Sequence, residues 1–367
     1  MNRSSDRRGL EPPLQALTAP EVGEQSEGKA PAEPRKGSPW LTILGWLVVL
    51  GLLWWVLRSF PLMESLQAIG RLTVAQIVLL LTINLIIIGT YAVRWGLILL
   101  GHGYRLPVFA VMGYRLATFG LSYFTPGPQV GGEALQIILP RTKHAVPTSV
   151  ATAAVGLDKL VELAMNFAFV AAGLLVAVEL NLNAPLLLLS WALVGLPLIF
   201  LILLWLGHQP FTVLLAALPD RWQQNPGLRR LQEGVAESEA HAVALCQRKP
   251  WHLFWAFTVT AAGWFLVILE AWLMLQFLGA NVTLNQAFII ITAARIAFLL
   301  PLPGGLGALE ASLVFMLELL DFNPALGLSL ALLVRARDVL FGALGLLIGA
   351  AALGNWSNLW SATKSHD

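Results

Sequence analysis

The sequence is poor in cysteine and in charge, and both shortages narrow the class of protein. A single cysteine in 367 residues, Cys246, excludes a disulfide framework and a thiolate metal cluster. Charged residues make up 12% of the chain, whereas an average soluble domain has about 25%. The net charge of +2 gives no strong nucleic-acid footprint, so no nucleic-acid partner is expected. Hydrophobic residues reach 57%, which indicates a protein whose main solvent is lipid.

Long uncharged runs mark the candidate membrane spans, because a helix needs about 20 apolar residues to cross a bilayer. The chain length fits seven or eight spans. The stretch 131–139 is apolar but too short to cross. The predicted fold class is therefore all-α, a polytopic transmembrane helix bundle. The predicted apolar segments, several of which enclose ionisable residues, are 40–57, 74–100, 107–124, 147–178, 185–206, 253–278, 284–300, 306–320 and 324–353.

Composition also predicts the domain organisation. Residues 1–39 hold six prolines and no apolar periodicity, which predicts a disordered tail. A transmembrane domain is expected over 40–355, interrupted by a polar loop at 207–250, and a short tail over 356–367. Lysine and arginine are concentrated in the N-terminal tail, in the polar loop and near Arg141. The positive-inside rule then places both termini in the cytoplasm.

An internal repeat is visible when the sequence is shifted by 177 residues, which predicts halves at about 107–206 and 251–353. Shared alanines and leucines mean little in this composition, but the shared proline, glycine and glutamate positions are less common. The matched pairs are Pro126 with Pro303, Gly127 with Gly304, Glu133 with Glu310, and Pro147 with Pro324.

Two proline–glycine breaks interrupt the apolar runs at matched positions. Lipid cannot replace the lost backbone hydrogen bonds, so such breaks are buried in protein or line a wet cavity. Each break precedes a stretch too short to cross, which predicts two re-entrant helical hairpins in an inverted repeat, as in many transporters. The alternative is a kink packed against neighbouring helices. The helix-break motif comprises Pro126, Gly127, Pro303, Gly304 and Gly305.

Ionisable side chains inside the predicted spans are the candidate substrate-binding groups. Each costs about 2.5–3.5 kcal/mol at a helix centre, so they are expected to face the bundle interior. The alternative is structural ion pairs, such as Arg335–Asp338 or Lys159–Glu162. The candidate set is Arg115, Glu133, Asp158, Lys159, Glu162, Arg295, Glu310, Arg335, Arg337 and Asp338.

Asp158 and Glu162 lie four residues apart on one helix face, where their charges repel. One hypothesis is that one of them carries a coupling proton. The alternative is neutralisation by Lys159 or by a facing arginine.

Motifs of soluble catalysis are missing from the sequence, which has no Walker A motif, no His-Glu-x-x-His motif and no nucleophile elbow. The six histidines are scattered and form no metal-binding pattern. We therefore expect no cofactor, no metal and no enzymatic activity of the chain itself.

One stretch resembles the lysylphosphatidylglycerol synthase transmembrane family, also described as flippase-like membrane proteins. It is Pro-Leu-Pro-Gly-Gly-Leu-Gly-Ala-Leu-Glu over 301–310. Weaker likenesses lie at 126–133, at 157–160 and at Arg94-Trp95. The family features would carry over to Pro126, Gly127, Glu133, Lys159, Pro303, Gly304 and Glu310.

The resemblance implies a bacterial or archaeal inner-membrane protein that handles lipid. Its partner would be an anionic or aminoacylated phospholipid, or a polyprenyl or hopanoid lipid. The aminoacyl-transferase domain of the best-known relatives has no counterpart after the last span, so a separate transferase is an expected partner, as is a second copy of the chain. Two positions depart from the family pattern, because Lys159 stands where arginine is usual and Pro128 replaces the second glycine.

The expected function is that of a lipid flippase that exposes a charged groove alternately to the two leaflets. Arginine matches phosphate oxygens bidentately, so the basic residues would attract the lipid phosphate. Two alternatives remain: a membrane subunit that presents lipid to a separate transferase, and a secondary transporter of a small anion.

Overall fold

The computed structural model describes residues 67, 69–124, 131–177, 184–219, 225–299 and 307–354. Every regular element in these ranges is a helix. The tails at 1–39 and 356–367, the predicted span at 40–57, and the break residues Pro126, Gly127, Pro303, Gly304 and Gly305 lie outside them. The helices are α1 (Val74–Gly101), α2 (Val108–Phe124), α3 (Glu133–His144), α4 (Thr148–Val176), α5 (Ala184–Trp205), α6 (Pro210–Ala216), α7 (Pro226–Arg248), α8 (Pro250–Phe277), α9 (Leu284–Phe298), α10 (Ala308–Leu319) and α11 (Pro324–Gly354).

Local sequence chemistry sets where several helices begin. At the start of α1, the Thr73 hydroxyl accepts from the Gln76 N–H, and the Gln76 side chain accepts from the Thr73 N–H. Thr283 and Gln286 form the same capping box at the start of α9. Proline is the first residue of α6, α7, α8 and α11, where its missing N–H costs no helical hydrogen bond.

The lengths and surfaces of the helices are those of a helical membrane protein. By length and composition, α1, α4 and α8 can each cross a bilayer. The residues Trp191–Trp205 of α5 meet α6 across a bend of 92°. Large apolar side chains cover the outside of the bundle; Phe109, for example, is 92% exposed. Such a surface is stable in lipid, whereas in water it would drive aggregation.

Two apolar cores lie on either side of the bundle centre. The first surrounds Trp95 and joins α1, α2, α3 and α4 with the end of α7. The second surrounds Leu313 and joins α8, α9, α10 and α11. The most extensive contacts between the sides join α1 with α8 and α2 with α11. The second pair is in backbone contact, because a Cβ on Gly120 would collide with the carbonyl oxygen of Gly342.

The described part of the polar stretch 207–250 contains two helices, α6 and α7. The spacing of Leu228, Leu231 and Val235 predicts a surface helix, and α7 is only partly one. Leu231 near its start is exposed, as expected. Near its end, however, Leu245 and Cys246 are buried in the first core. Glu239 also accepts the N–H groups of Phe211 and Thr212, so α7 caps the start of α6.

Candidate substrate site inside the bundle

A cavity of about 350 Å³ lies between α1–α4 on one side and α8–α11 on the other. All eight of these helices contribute to its wall, which mixes apolar and ionisable side chains. Seven of the ten predicted site residues line it, and Asp158 binds two of the lining arginines. The polar and charged lining residues include Asn84, Tyr91, Arg94, Arg115, Glu133, Lys159, Glu162, Asn166, Glu270, Arg295, Arg337 and Asp338.

Arg94 of α1 is the centre of the most buried charge cluster. Its Nε donates to Asp158 Oδ1 at 2.6 Å and one terminal nitrogen donates to Asp158 Oδ2 at 3.0 Å. The same terminal nitrogen lies 2.8 Å from Glu162 Oε2. The Arg94 and Asp158 side chains are 1% and 0% exposed, so this bidentate pair is shielded from solvent.

Arg115 of α2 binds the same two carboxylates from the other side. It donates to Asp158 Oδ2 and to Glu162 Oε2, both at 3.1 Å. Two arginines thus balance two carboxylates, and the ring of Tyr91 lies within 5.7 Å of both guanidinium carbons. Of the two sequence hypotheses for Asp158 and Glu162, this geometry favours neutralisation by facing arginines over a free coupling proton.

The candidate set derived from the sequence omitted Arg94, although Arg94-Trp95 carried part of the family resemblance. Arg94 lies near the end of an uncharged run, where an arginine usually marks the membrane boundary. In the structure, α1 continues to Gly101, so Arg94 lies within the helix. The length of the apolar run does not predict that the Arg94 side chain is buried.

Glu133 connects the start of α3 to α4. It accepts the Gly131 N–H at 2.9 Å and lies 3.0 Å from Lys159 Nζ. Lys159 also contacts Glu162 at 3.4 Å, which is one of the structural pairs proposed from the sequence. Lys159 is 35% exposed, so it is the most accessible cation of this half of the cavity.

Glu310 has an equivalent position at the start of α10. It accepts the Gly307 N–H at 2.8 Å, and Arg335 of α11 donates its Nε at 3.0 Å. Gly307 has φ of 80°, a left-handed conformation that favours glycine. The structure therefore pairs Arg335 with Glu310, next to Leu309 of the second core.

Arg337 is the cation of a third cluster, which extends from α11 to α8. It lies 2.6 Å from Glu270 and 2.9 Å from Asp338. With its amide oxygen facing Arg337, Asn84 accepts a further hydrogen bond at 3.2 Å. Asp338 is thus bound by Arg337. The candidate set lacked Glu270, since nothing in the sequence placed α8 against α11.

Arg295 differs from the other cations of the cavity wall. Its guanidinium carbon lies 4.8 Å from the ring centre of Trp264 and 6.0 Å from that of Phe298. No carboxylate of the described residues forms an ion pair with it. Within the same ranges, no group of three or more histidine, cysteine, aspartate or glutamate side chains could hold a metal ion.

Comparison with known proteins identifies the family of this chain. The profile of the lysylphosphatidylglycerol synthase transmembrane region matches residues 42–345. The chain belongs to this family. A UPF0104 membrane protein from Pyrococcus horikoshii is 24% identical over 314 residues, which cover 80% of this chain and 91% of that protein. No solved structure gives a match.

The family assignment agrees with the resemblance found from the sequence and makes the chain an integral membrane protein. The family is defined on the transmembrane region of the synthase, which is distinct from a catalytic soluble domain. The match includes every helix from α1 to α10 and the cavity residues of α11.

Proposed function

We propose that this protein is a lipid flippase whose central cavity carries the polar headgroup while the acyl chains stay in the bilayer. The observation that carries the proposal is a cavity lined by paired charges inside a helical membrane protein. Ionisable groups at membrane depth are expensive and are characteristic of substrate pathways. The family membership supports a role with membrane lipid.

Contacts between α2 and α3 support the first re-entrant hairpin. Ser122, near the end of α2, accepts the Gly132 N–H at the start of α3. At the other end of α3, His144 Nε2 lies 3.1 Å from the hydroxyl of Tyr114, which is near the start of α2. The two helices therefore run antiparallel, and the chain returns toward the side that it entered.

Helix bounds and packing support an inverted repeat. A shift of 177 residues places α2, α3 and α4 on α9, α10 and α11 within a few residues at each end. A shift of nearly the same size places α1 on α8, so we extend the first half to include α1 and end it with α4. The helix contacts are also related by the repeat. In the first half α2 packs on α11 of the second half, and in the second half α9 packs on α4 of the first.

The proposed setting is the bacterial or archaeal inner membrane, with both termini and the 207–250 stretch in the cytoplasm. The domain bounds remain 40–355 for the membrane part, flanked by the two tails. The proposed partner is a polar membrane lipid. A separate transferase and a second copy of the chain are further proposed partners.

The clusters suggest different roles in an alternating-access cycle. Arg94 and Asp158 are fully buried and hold α1 against α4. Arg295 lies on the cavity wall against aromatic rings and would bind the lipid phosphate. Glu133 and Glu310 fasten each short helix to the following long one, so that each half moves as a unit.

The test is lipid movement in proteoliposomes. Purified protein is reconstituted with a trace of fluorescent phospholipid, and dithionite quenching measures how fast label leaves the inner leaflet. We expect wild-type protein to move label, and the Arg335→Ala and Glu310→Gln variants to lose this activity. Glu318→Gln is the matched control, because Glu318 lies exposed on the same helix as Glu310.

Wild-type rates in both Arg335→Ala and Glu310→Gln would reject the site. An inactive wild-type protein that becomes active with a co-purified transferase would favour the lipid-presenting alternative. Uptake of a soluble anion without lipid movement would favour the small-anion transporter.

A further inference from the structure

The charges on the cavity wall and directly behind it are equal in number among the described residues. Among the residues that the structure describes, five cations line the cavity: Arg94, Arg115, Lys159, Arg295 and Arg337. Four carboxylates line it with them: Glu133, Glu162, Glu270 and Asp338. Asp158 is buried directly behind the wall, where it binds Arg94 and Arg115, and brings the carboxylates to five. A headgroup with net charge would therefore leave the cavity unbalanced, at a cost that low-dielectric surroundings increase.

The balanced charges are unevenly distributed. Around Arg94 and Arg115, three cations including Lys159 meet three carboxylates, so this side is neutral within itself. At Arg337 one cation meets two carboxylates, Glu270 and Asp338. At Arg295 one cation meets aromatic rings and no ion-paired carboxylate of the described residues. The cavity thus has one positive end and one negative end.

The two ends are separated along α8. Arg295 lies over Trp264, while Glu270 is six residues further along the same helix. At a rise of 1.5 Å per residue, the separation along the axis is about 9 Å. Val267 lies between them and also lines the cavity. A ligand in contact with both ends must therefore carry its opposite charges a few bonds apart.

Resting on the proposed flippase function, we propose that the cavity selects a zwitterionic headgroup with one phosphate and one primary ammonium. The phosphate binds Arg295, whose guanidinium presents donors that no carboxylate of the described residues occupies. The ammonium binds between Glu270 and Asp338, which share the single cation Arg337. Arg295 and Asp338 are the specificity-determining residues of the site.

The same geometry discriminates against other headgroups. A glycerol headgroup with a phosphate alone satisfies Arg295 but leaves the net negative charge of Glu270, Asp338 and Arg337 uncompensated. A headgroup with two ammonium groups brings one cation more than the wall can pair. A trimethylated choline headgroup has the right net charge but no N–H, so it cannot donate to Glu270 or Asp338.

Lipid binding to the purified protein tests this selectivity apart from transport. Native mass spectrometry in detergent compares phosphatidylethanolamine, phosphatidylcholine and phosphatidylglycerol of identical acyl chains. We expect the ethanolamine lipid to be preferred by about tenfold or more, which is the fold-change that one charge-assisted hydrogen bond supplies. Soluble phosphoethanolamine should compete, whereas soluble phosphate alone should compete weakly. If phosphate alone competes as strongly as phosphoethanolamine, the site recognises an anion, and the proposal is overturned.

Two variants identify the ends of the site. Asp338→Asn removes the excess carboxylate and should abolish the preference for ethanolamine over glycerol headgroups. Arg295→Gln should weaken both lipids alike. Leu347→Gln, on the exposed face of α11, is the control and should keep the preference. Thermal unfolding shows whether each variant is folded.

Equal binding of the three lipids to wild-type protein would overturn the inference, and so would an unchanged preference in folded Asp338→Asn. The proteoliposome experiment tests the proposed function separately. If the protein binds phosphatidylethanolamine selectively but moves no lipid, the flippase proposal alone is overturned. If the protein moves all three lipids equally, the zwitterion proposal alone is overturned.

Discussion

Glu133 and Glu310, which are 177 residues apart, make the same two contacts. Each accepts a backbone N–H at the start of its own short helix, from Gly131 and from Gly307. Each also binds a cation of the following long helix, at 3.0 Å in both cases. A carboxylate at this position stabilises the positive end of the short helix and anchors it to its neighbour.

The Arg94–Asp158 pair predicts a large loss of stability when one partner is removed. Asp158→Asn leaves Arg94 and Arg115 with one carboxylate between them in the bundle interior. We expect the free energy of unfolding to fall by about 3–5 kcal/mol, the usual effect of breaking a buried pair. Thermal unfolding in detergent measures it. The exposed Glu318→Gln variant should match the wild type, and an unshifted Asp158→Asn curve would contradict the assignment.

The contact between α2 and α11 predicts that Gly120 tolerates no side chain. Gly120→Ala would drive a methyl group into the Gly342 carbonyl and the Leu346 nitrogen. We expect destabilisation of about 1–3 kcal/mol, as for other overpacked cores. Gly156→Ala is the matched control, because no heavy atom lies within 4 Å of a Cβ built there.

Gly156→Ala should be neutral or slightly stabilising, since alanine favours a helix over glycine by about 1 kcal/mol. The same melting temperatures for both glycine variants would show that α2 and α11 do not approach as described.

His102, just after α1, predicts how stability depends on pH. Burial, with help from His241, Lys249 and His252, lowers the pKa of His102 from 6.5 to about 4. The unfolded chain therefore binds a proton between these values that the folded chain does not. Stability should be unaffected by this group above pH 6.5 and should fall between pH 6.5 and 4, by at most about 1.4 kcal/mol per pH unit.

Thermal unfolding across this pH range measures the slope. His102→Gln should flatten it, whereas His208→Gln should keep the wild-type slope, because His208 is exposed. A His102→Gln profile that keeps the wild-type slope would contradict the assignment to His102.

Cys246 is predicted to be an unreactive thiol. Burial raises its pKa to about 11, so almost no thiolate is present at neutral pH. We expect maleimide labelling of folded protein to be slow and to become fast only after unfolding. The control is Ala240→Cys in a Cys246→Ala background, because Ala240 is exposed on the same helix. Equal labelling rates at both positions would contradict the burial of the α7 end.

Run length and charge placement in the sequence predicted most helices closely. The run 74–100 became Val74–Gly101, and 324–353 became Pro324–Gly354. A capping box of Thr73 and Gln76 begins α1, and Pro324 begins α11, so these two starts are encoded locally. The buried end of α7 was not predicted, because its burial depends on a contact with the first core.

Partner choice within the site was harder to predict than the identity of the charged residues. Lys159 and Glu162 are neighbours on one helix, and their contact followed from spacing. The same spacing rule predicts that Arg335 pairs with Asp338. In the structure, however, Arg335 pairs with Glu310, which is 25 residues earlier. Arg94 and Glu270 lie in the site because separate helices pack against one another. Residue spacing within one helix does not predict such packing.

The equal number of cations and carboxylates around the cavity has an electrical consequence. A charge that crosses a membrane does work of about 2.3 kcal/mol per 100 mV, whereas a neutral wall that carries a neutral cargo moves no net charge. Translocation by this protein would then be electrically silent. A diffusion potential imposed across the vesicles would neither speed nor slow it.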